Sequence, residues 1–359
     1  MSKVVKFLTA TQGSANGSRI GAQDVVAYGY LLLGILIILV PVLWTVLSSF
    51  KSEEAIENFD TRLMPFDQIE RNIDGVGVKR LYLWKDENGV PQEVFKAGPT
   101  RKLTDTAKAE DPTTIFQVPR KELLPAEEIR LATENYLDPL LSRGGQKFFN
   151  FKLLLWNTVF VTVVATVITL LINSMAAFAL SKYQFKGRLT FTILIVATLL
   201  IPNTIILVSL FFVVWSFGIF GSLWGVIIPA AATPTGVFLL RQYMLTIPDE
   251  LLEAARMDAA SEWRIYWRII LPLSLPALSV LAILSTIWRW NDFLWPLIVL
   301  ISDPSQHTIQ LGLTSFSGEF DQDHHFILAM TVVSLIPVTL VFVWLQRFIT
   351  TGIATTGLK

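Results

Sequence analysis

The sequence predicts an all-α polytopic membrane protein: six transmembrane helices, with a small extracytoplasmic α+β or irregular insert between helices one and two. Three observations predict it. Of 359 residues, 52% are hydrophobic and only 16% are charged, against roughly 25% charged in an average soluble domain. The uncharged residues fall in long runs: 25–50 (26 residues), 153–181 (29), 189–240 (52), 269–288 (20) and 326–346 (21). A bilayer core of about 30 Å needs ~20 apolar helical residues, so the five runs hold six spans, the longest run holding two. The third observation is segment 51–151, which has 33 charged residues in 101 and a soluble composition.

In chain order, residues 1–24 form a tail and 25–50 the first span. A secretory signal is the competing reading of that run. A signal's apolar core has about 7–15 residues and ends at a small-residue cleavage site; this run is longer, and no clear site follows it. Within the insert, Asp86, Glu87, Asn88 and Gly89 read as a hairpin turn between the apolar-rich stretches 76–84 and 90–96. Residues 119–125 read as loop and 126–141 as a short helix. Leu81, Tyr82, Leu83, Trp84, Val94 and Phe95 supply a modest face to bury. An isolated two-stranded hairpin is marginal, so the insert is expected to lean on the membrane domain or a partner; a loosely ordered insert is the alternative. Residues 152–346 hold five further spans. The long run divides at 215–222, where two glycines and several aromatics mark a turn at the membrane surface. Residues 347–359 form the final tail.

Orientation follows from the short loops. Segments 1–24, 181–188, 241–270 and 347–359 hold 3, 3, 4 and 2 Lys/Arg, whereas 215–222 and 296–325 hold none. Positive charge marks the cytoplasmic side, which puts both termini on the cytoplasmic side of the membrane. Segment 51–151 carries 15 Lys/Arg, but long loops cross largely regardless of charge, so it is expected outside.

Composition excludes several chemistries. There is no cysteine, which removes disulfides, thiolate metal sites and thiol nucleophiles. The three histidines are His307, His324 and His325; the last two, with Asp321 and Asp323, read as a polar outer loop rather than a metal site. The formal charge is zero, so no basic field favours nucleic acid. No phosphate-binding loop, zincin motif or nucleophile elbow occurs, so the chain is expected to be no enzyme, to have no catalytic residue and to bind neither cofactor nor ATP.

Between spans four and five, residues 241–272 read as helix–turn–helix. Thr246 and Asp249 have capping-box spacing, and Pro248 suits a first turn. Leu252, Ala255 and Ala259 share one helix face, with Ala254 beside them. Ser261 is placed to cap a second helix carrying Trp263, Ile265, Tyr266 and Ile269. On residues alone, an amphipathic helix lying on the membrane and a helix that docks a partner are equal readings.

This stretch resembles the EAA loop of binding-protein-dependent ABC importer permeases. Glu253, Ala254, Ala255, Asp258, Ala260, Leu271, Pro272 and Pro276 match its pattern; Ala259 stands where the family usually has glycine. Asn135–Tyr136, Trp156 to Thr158, Lys182 to Gly187, Pro202, Leu239 to Arg241, Trp290 to Pro296, 315–319 and 351–359 are similar to the carbohydrate-uptake permeases of the MalG type. The resemblance covers about 25–50 and 133–359, and segment 52–130 is far longer than the usual loop. It implies a permease core at 152–346. It also implies a second homologous permease, two cytoplasmic ATPase subunits that hold the ATP and magnesium, a periplasmic or lipid-anchored solute-binding protein, and surrounding membrane lipid. The ATPase-coupling residues it implies are Glu253, Ala254, Ala255, Asp258, Ala259, Ala260 and Arg264. The implied cargo is a carbohydrate such as a di- or oligosaccharide, for example an α-glucoside. A polyol or glycerophosphodiester importer, or a membrane receptor or scaffold, are the alternatives.

The candidate substrate path is Asn203, Thr233, Arg289, Trp290, Asn291 and Asp292. Ionisable residues at membrane depth are costly and usually functional, and proline-loosened helices at Pro202 and Pro234 can line a polar cavity. Arg289 and Asp292, three apart, are spaced to pair on one helix face. Arg289 lies about 24 Å along span five at 1.5 Å per residue. The competing reading is therefore an outer aromatic belt made by Trp288, Trp290 and Trp295.

Overall fold

The computed structural model describes residues 22–58, 61–86, 89–99, 102–141, 150–314 and 323–356. Outside them lie most of the N-terminal tail, Glu87 and Asn88 of the hairpin turn, the 315–319 motif, Asp321 and the last three residues.

Three described helices are individually long and apolar enough to cross a bilayer: Asp24–Ser48, Phe151–Lys182 and His324–Phe348. The first belongs to α1 (Ala22–Ser48), whose apolar side chains from Val25 to Trp44 are exposed. An apolar helix with an exposed surface all round belongs in lipid or against another membrane protein. The last runs on through Val-, Leu- and Ile-rich sequence to Thr356.

The 52-residue run does not form two straight helices. Its first half gives Arg188–Thr198 and Asn203–Ser216, interrupted before Pro202; its second gives Leu223–Ile227 and Pro234–Met244, interrupted at 228–233. Prolines 202, 229 and 234 remove backbone donors and clash with the preceding turn, which run length alone does not register. The helix after the loop is also bent. Glu262–Leu273 and Leu275–Trp290 meet at 76°, with a π-turn at Tyr266–Ile270 and Pro272 and Pro276 flanking the bend; proline and π-turns are the ordinary causes of kinks. Counted as one, this pair is a fourth stretch long and apolar enough to cross a bilayer.

Phe151–Lys182 is the spine of the membrane domain. It packs against Pro234–Met244 and Leu275–Trp290, and Asn150 caps its start by accepting the Leu153 N–H.

The insert is more built than a hairpin. The strands Gly77–Lys85 and Pro91–Lys96 pair antiparallel, Leu81 opposite Phe95, on either side of the expected turn. They belong to a meander that continues through Leu103–Lys108 and Ile115–Pro119, with Glu70–Ile73 on the other flank. Leu124–Pro125 pairs beside Tyr82 and Leu83. One face buries Ile73, Leu81, Phe95, Ala107 and Ala126, the other Val94, Val118 and Leu123. The sheet therefore has cores of its own, rather than a single face that must borrow a neighbour. Two further expectations change. Residues 119–125 hold a helical turn (Arg120–Glu122) and a short strand. Of 126–141 only Glu134–Leu141 is helical, while Glu127–Ile129 pairs with Phe66–Gln68. The later strands escaped notice because their inward residues include Thr104 and Thr106, both buried.

The two ends of the insert meet. The buried Asn135 amide donates to the carbonyls of Ser49 and Lys51 at 2.9 and 2.8 Å. The Ala132 N–H reaches the Phe50 carbonyl, and the Phe50 and Tyr136 rings lie 4.9 Å apart. Lys51 is 1% exposed and donates to the Arg62 carbonyl.

Candidate functional site

The coupling loop is built on the helix Glu250–Met257. Its residues are mostly strong helix formers. Glu250 and Glu253 sit in its first turn and Arg256 in its last, complementing the helix dipole. Leu252 is buried in a core with Met244, Ile247, Ile265, Tyr266 and Phe178, and Ala255 and Ala260 pack at its edge. Glu253, Ala254, Asp258 and Ala259 are exposed, with Met257 86% exposed. The helix is thus seated on one side and offers an acidic, small-residue face on the other.

Its end explains the glycine preference. Ala259 has φ +55°, and among the described residues it is the one non-glycine at positive φ. The Ala259 N–H bonds the Arg256 carbonyl and the Ala260 N–H bonds the Ala255 carbonyl, the two bonds of a Schellman cap. Ser261 then accepts the Arg264 N–H and caps the next helix as expected. The expected Thr246–Asp249 capping box does not form. Asp249 makes no side-chain cap; its carboxylate instead takes the Lys182 ammonium at 2.7 Å.

Glu262 is a second junction. It accepts Arg256 Nε at 2.8 Å and the Tyr183 hydroxyl. The Arg256 guanidinium, then the Tyr183 hydroxyl, hold its carboxyl below the usual range. Burial, and next the adjacent carboxylate, push Tyr183 up to about 12.

In the membrane domain the candidates divide. Arg289 makes no ion pair with Asp292 among the described residues. Its Nη2 donates to the Thr169 hydroxyl at 2.7 Å and to the Ala230 carbonyl at 2.6 Å. The break at 228–233 frees a carbonyl that the guanidinium satisfies, and a buried polar group left unpaired is costly. Asp292 instead accepts the Trp295 N–H. Thr233 caps Pro234–Met244 through the Gly236 N–H and exchanges bonds with Asn173, Nδ2 to Oγ1 at 2.7 Å and N to Oδ1 at 3.1 Å. Asn291 is exposed and folds back on the Ile287 carbonyl. The side chain of Asn203 lies outside the described residues. Trp290 is buried and lines a groove of about 560 Å³ between Phe151–Lys182, Leu275–Trp290 and the last helix. Thr162, Thr166, Ser279, Thr286 and Trp344 share that groove, whose surface is almost wholly apolar.

Sequence reasoning gave no site role to Thr169, Asn173, Lys182, Tyr183 or Glu262. The first two belong to a visible signal: Thr162, Thr166, Thr169 and Asn173 recur at i, i+4, i+7 and i+11, a polar stripe on one face of an apolar helix.

Residues 169–355 match the model of the family described as binding-protein-dependent transport system inner membrane component. The chain is 37% identical over 203 residues to the arabinooligosaccharides transport system permease protein AraQ of Halalkalibacterium halodurans, covering 56% of this chain and 72% of that one. It is 33% identical over 246 residues to the sn-glycerol-3-phosphate transport system permease protein UgpE of Yersinia enterocolitica, covering 68% and 85%. A crystal structure of a bacterial ABC transporter that imports the polysaccharide alginate shares the fold, with TM-score 0.63, 22% identity and coverage of 93% and 99%. The likeness to MalG-type permeases therefore stands, and the receptor or scaffold reading gives way to a transport permease rather than an enzyme. The chain belongs to the binding-protein-dependent transport system inner membrane component family and is a membrane permease subunit of an ABC importer.

Proposed function

We propose that this chain is one membrane half of a carbohydrate importer, with Glu250–Met257 as the helix that an ATPase subunit grips. The observation that carries this is the helix's two-sidedness: Leu252 buried beneath, Glu253, Ala254 and Asp258 exposed above. Small residues let another backbone approach closely, and Glu253 is set to meet basic or polar groups of the ATPase. ATP and magnesium sit on that partner. Closure of the ATPase pair moves the helix, and the membrane halves alternate between inward- and outward-facing states, each favoured by one ligand.

In this reading the chain crosses the membrane six times, from cytoplasmic tail 1–24 through span 25–50 and the core 152–346 to tail 347–359. Each broken pair in 188–244 makes one crossing, and Leu275–Trp290 is the crossing arm of span five. The insert 51–151 lies outside, where it contacts the binding protein or the second permease. The apolar groove beside Trp290 and the exposed α1 suit a second permease and lipid. The polar cluster around Arg289 and Thr233 flanks the cargo route.

The relatives' names favour a short oligosaccharide as cargo, and the resemblance to UgpE keeps a polyol phosphate or glycerophosphodiester as the second reading. The test has two arms. Glu253→Lys or Ala255→Asp, at normal expression, abolishes uptake, and wild-type uptake in either variant refutes the docking role. A thermal-shift screen of the cognate binding protein against arabino-oligosaccharides, α-glucosides and glycerol-3-phosphate identifies the cargo class.

A further inference from the structure

The coupling helix is fastened at both ends to the same place. At its start, Asp249 holds Lys182, whose side chain is 3% exposed and whose ammonium also donates to the Ile247 carbonyl. At its end, Arg256 is held by Glu262, which in turn takes the Tyr183 hydroxyl. Lys182 and Tyr183 are consecutive residues at the C-terminal end of the spine helix Phe151–Lys182. Between the two fastenings Leu252 is buried against Phe178 of the same spine and its neighbours. A short helix pinned at two ends and seated in the middle cannot roll independently of its support.

The spine carries a second set of bonds farther along. Asn173, nine residues before Lys182 and so ~13 Å up the helix, bonds Thr233 on both its backbone and side chain. Thr169, about 20 Å up, shares Arg289 with the Ala230 carbonyl. Both contacts fall on the 228–233 interruption, where the regular helical ladder gives way to a turn with the Ala231 N–H on the Ile228 carbonyl.

We propose that Lys182 and Glu262 are positioning residues that make the coupling helix and the spine one lever, and that this lever delivers movement of the loop to the break at 228–233. The proposal rests on the docking of an ATPase at Glu250–Met257. A contiguous network is only a route until both ends are shown to respond together, so the test reads both ends.

The chain has no native cysteine, which makes single-cysteine reporters clean. In the assembled importer in proteoliposomes, with partner subunits stripped of reactive cysteines, Ala254→Cys reports docking by cross-linking to the ATPase. Ala232→Cys, exposed within the break, reports the far end by its rate of maleimide labelling with and without ATP and vanadate. The expected result is a severalfold nucleotide-dependent change at position 232 in the otherwise unaltered chain. Glu262→Gln and Lys182→Gln each cut that change at least threefold while the cross-link at 254 still forms. The exchange of Lys182→Asp with Asp249→Lys restores it. Tyr183→Phe, which removes one hydroxyl and leaves the fold, gives a smaller loss of the same sign. An undiminished change at 232 in both Glu262→Gln and Lys182→Gln, with the cross-link intact, overturns the lever. Absence of any cross-link from Ala254→Cys in the otherwise unaltered chain overturns the docking reading instead.

Discussion

The Arg289 guanidinium lies 2.7 Å from the hydroxyl of Thr169, 120 residues earlier in the chain, and the same nitrogen caps the Ala230 carbonyl. One cation thus joins three segments of the membrane domain at the interruption between Leu223–Ile227 and Pro234–Met244. That reassigns Arg289 from a partner of Asp292 to a brace for a broken helix.

Arg289→Met is expected to leave the Ala230 carbonyl with only the longer Thr169 hydroxyl bond at 3.3 Å and to cost about 1 kcal/mol. Arg289→Lys keeps the charge but not the forked geometry, and retains part of that stability. Thermal unfolding of the detergent-purified protein ranks the three; equal midpoints would remove the brace.

Gly236 has no room for a side chain. A Cβ there would overlap Asn173 Nδ2 and come 2.7 Å from Thr233 Oγ1 and 3.0 Å from Leu281 Cδ2. Gly236→Ala should force the Asn173–Thr233 contact apart at a cost of about 1–3 kcal/mol. The signature is a lowered thermal midpoint together with faster maleimide labelling of a cysteine at position 232.

Ala259→Gly is expected to stabilise the loop. A non-glycine residue in the left-handed region costs roughly 1–2 kcal/mol, and the added freedom of the unfolded chain returns up to about 1 kcal/mol of that gain. The net gain is about 0–1.6 kcal/mol, whereas Ala259→Val, β-branched at positive φ, loses stability. Chemical denaturation of the two variants beside the parent gives opposite signs if the cap is the one described.

The contribution of Glu262 depends on pH in one direction. Its folded carboxyl titrates below the ordinary value, held there first by Arg256 and then by Tyr183. A depressed carboxylate stabilises above its unfolded pKa, about 4.3, and loses that contribution as pH falls through the folded value. Midpoints of the parent and Glu262→Gln are therefore expected to differ at pH 6–8 and to converge as pH falls below the folded value. Convergence at high pH alone would contradict the assignment.

Phe95→Ala removes a ring that is 1% exposed in the core of the insert. The expected cost is ~3–5 kcal/mol, confined to the sheet. Limited proteolysis of proteoliposomes should then cut between 60 and 130 while the spine helix and the loop remain protected.

Much of the site was legible because its chemistry is local. Glu253, Ala255 and Ser261 declare themselves within one loop, and Pro272 and Pro276 mark the bend that follows. The unusual Ala259 was visible as a departure, and the positive φ supplies its reason. What sequence could not supply was pairing across distance. Lys182 and Asp249 are 67 residues apart, Tyr183 and Glu262 79 apart, and no periodicity links them. The six-span count was drawn from uncharged run lengths, which do not register how Pro202, Pro229 and Pro234 divide a run into short helices. The insert was underestimated for a related reason: threonines on its inward faces dilute the alternation that marks a strand.

The clasp formed by Asn135 with the Ser49 and Lys51 carbonyls brings the start and finish of the insert to a single socket at the foot of α1. Everything between is a plug-in module: its length and content can change while the spacing of the helices on either side stays fixed by three hydrogen-bonding residues. A chimera that transplants another small sheet domain between Lys51 and Asn135 should keep the membrane half in register, which makes this junction a natural site for grafting new surfaces onto an unchanged importer.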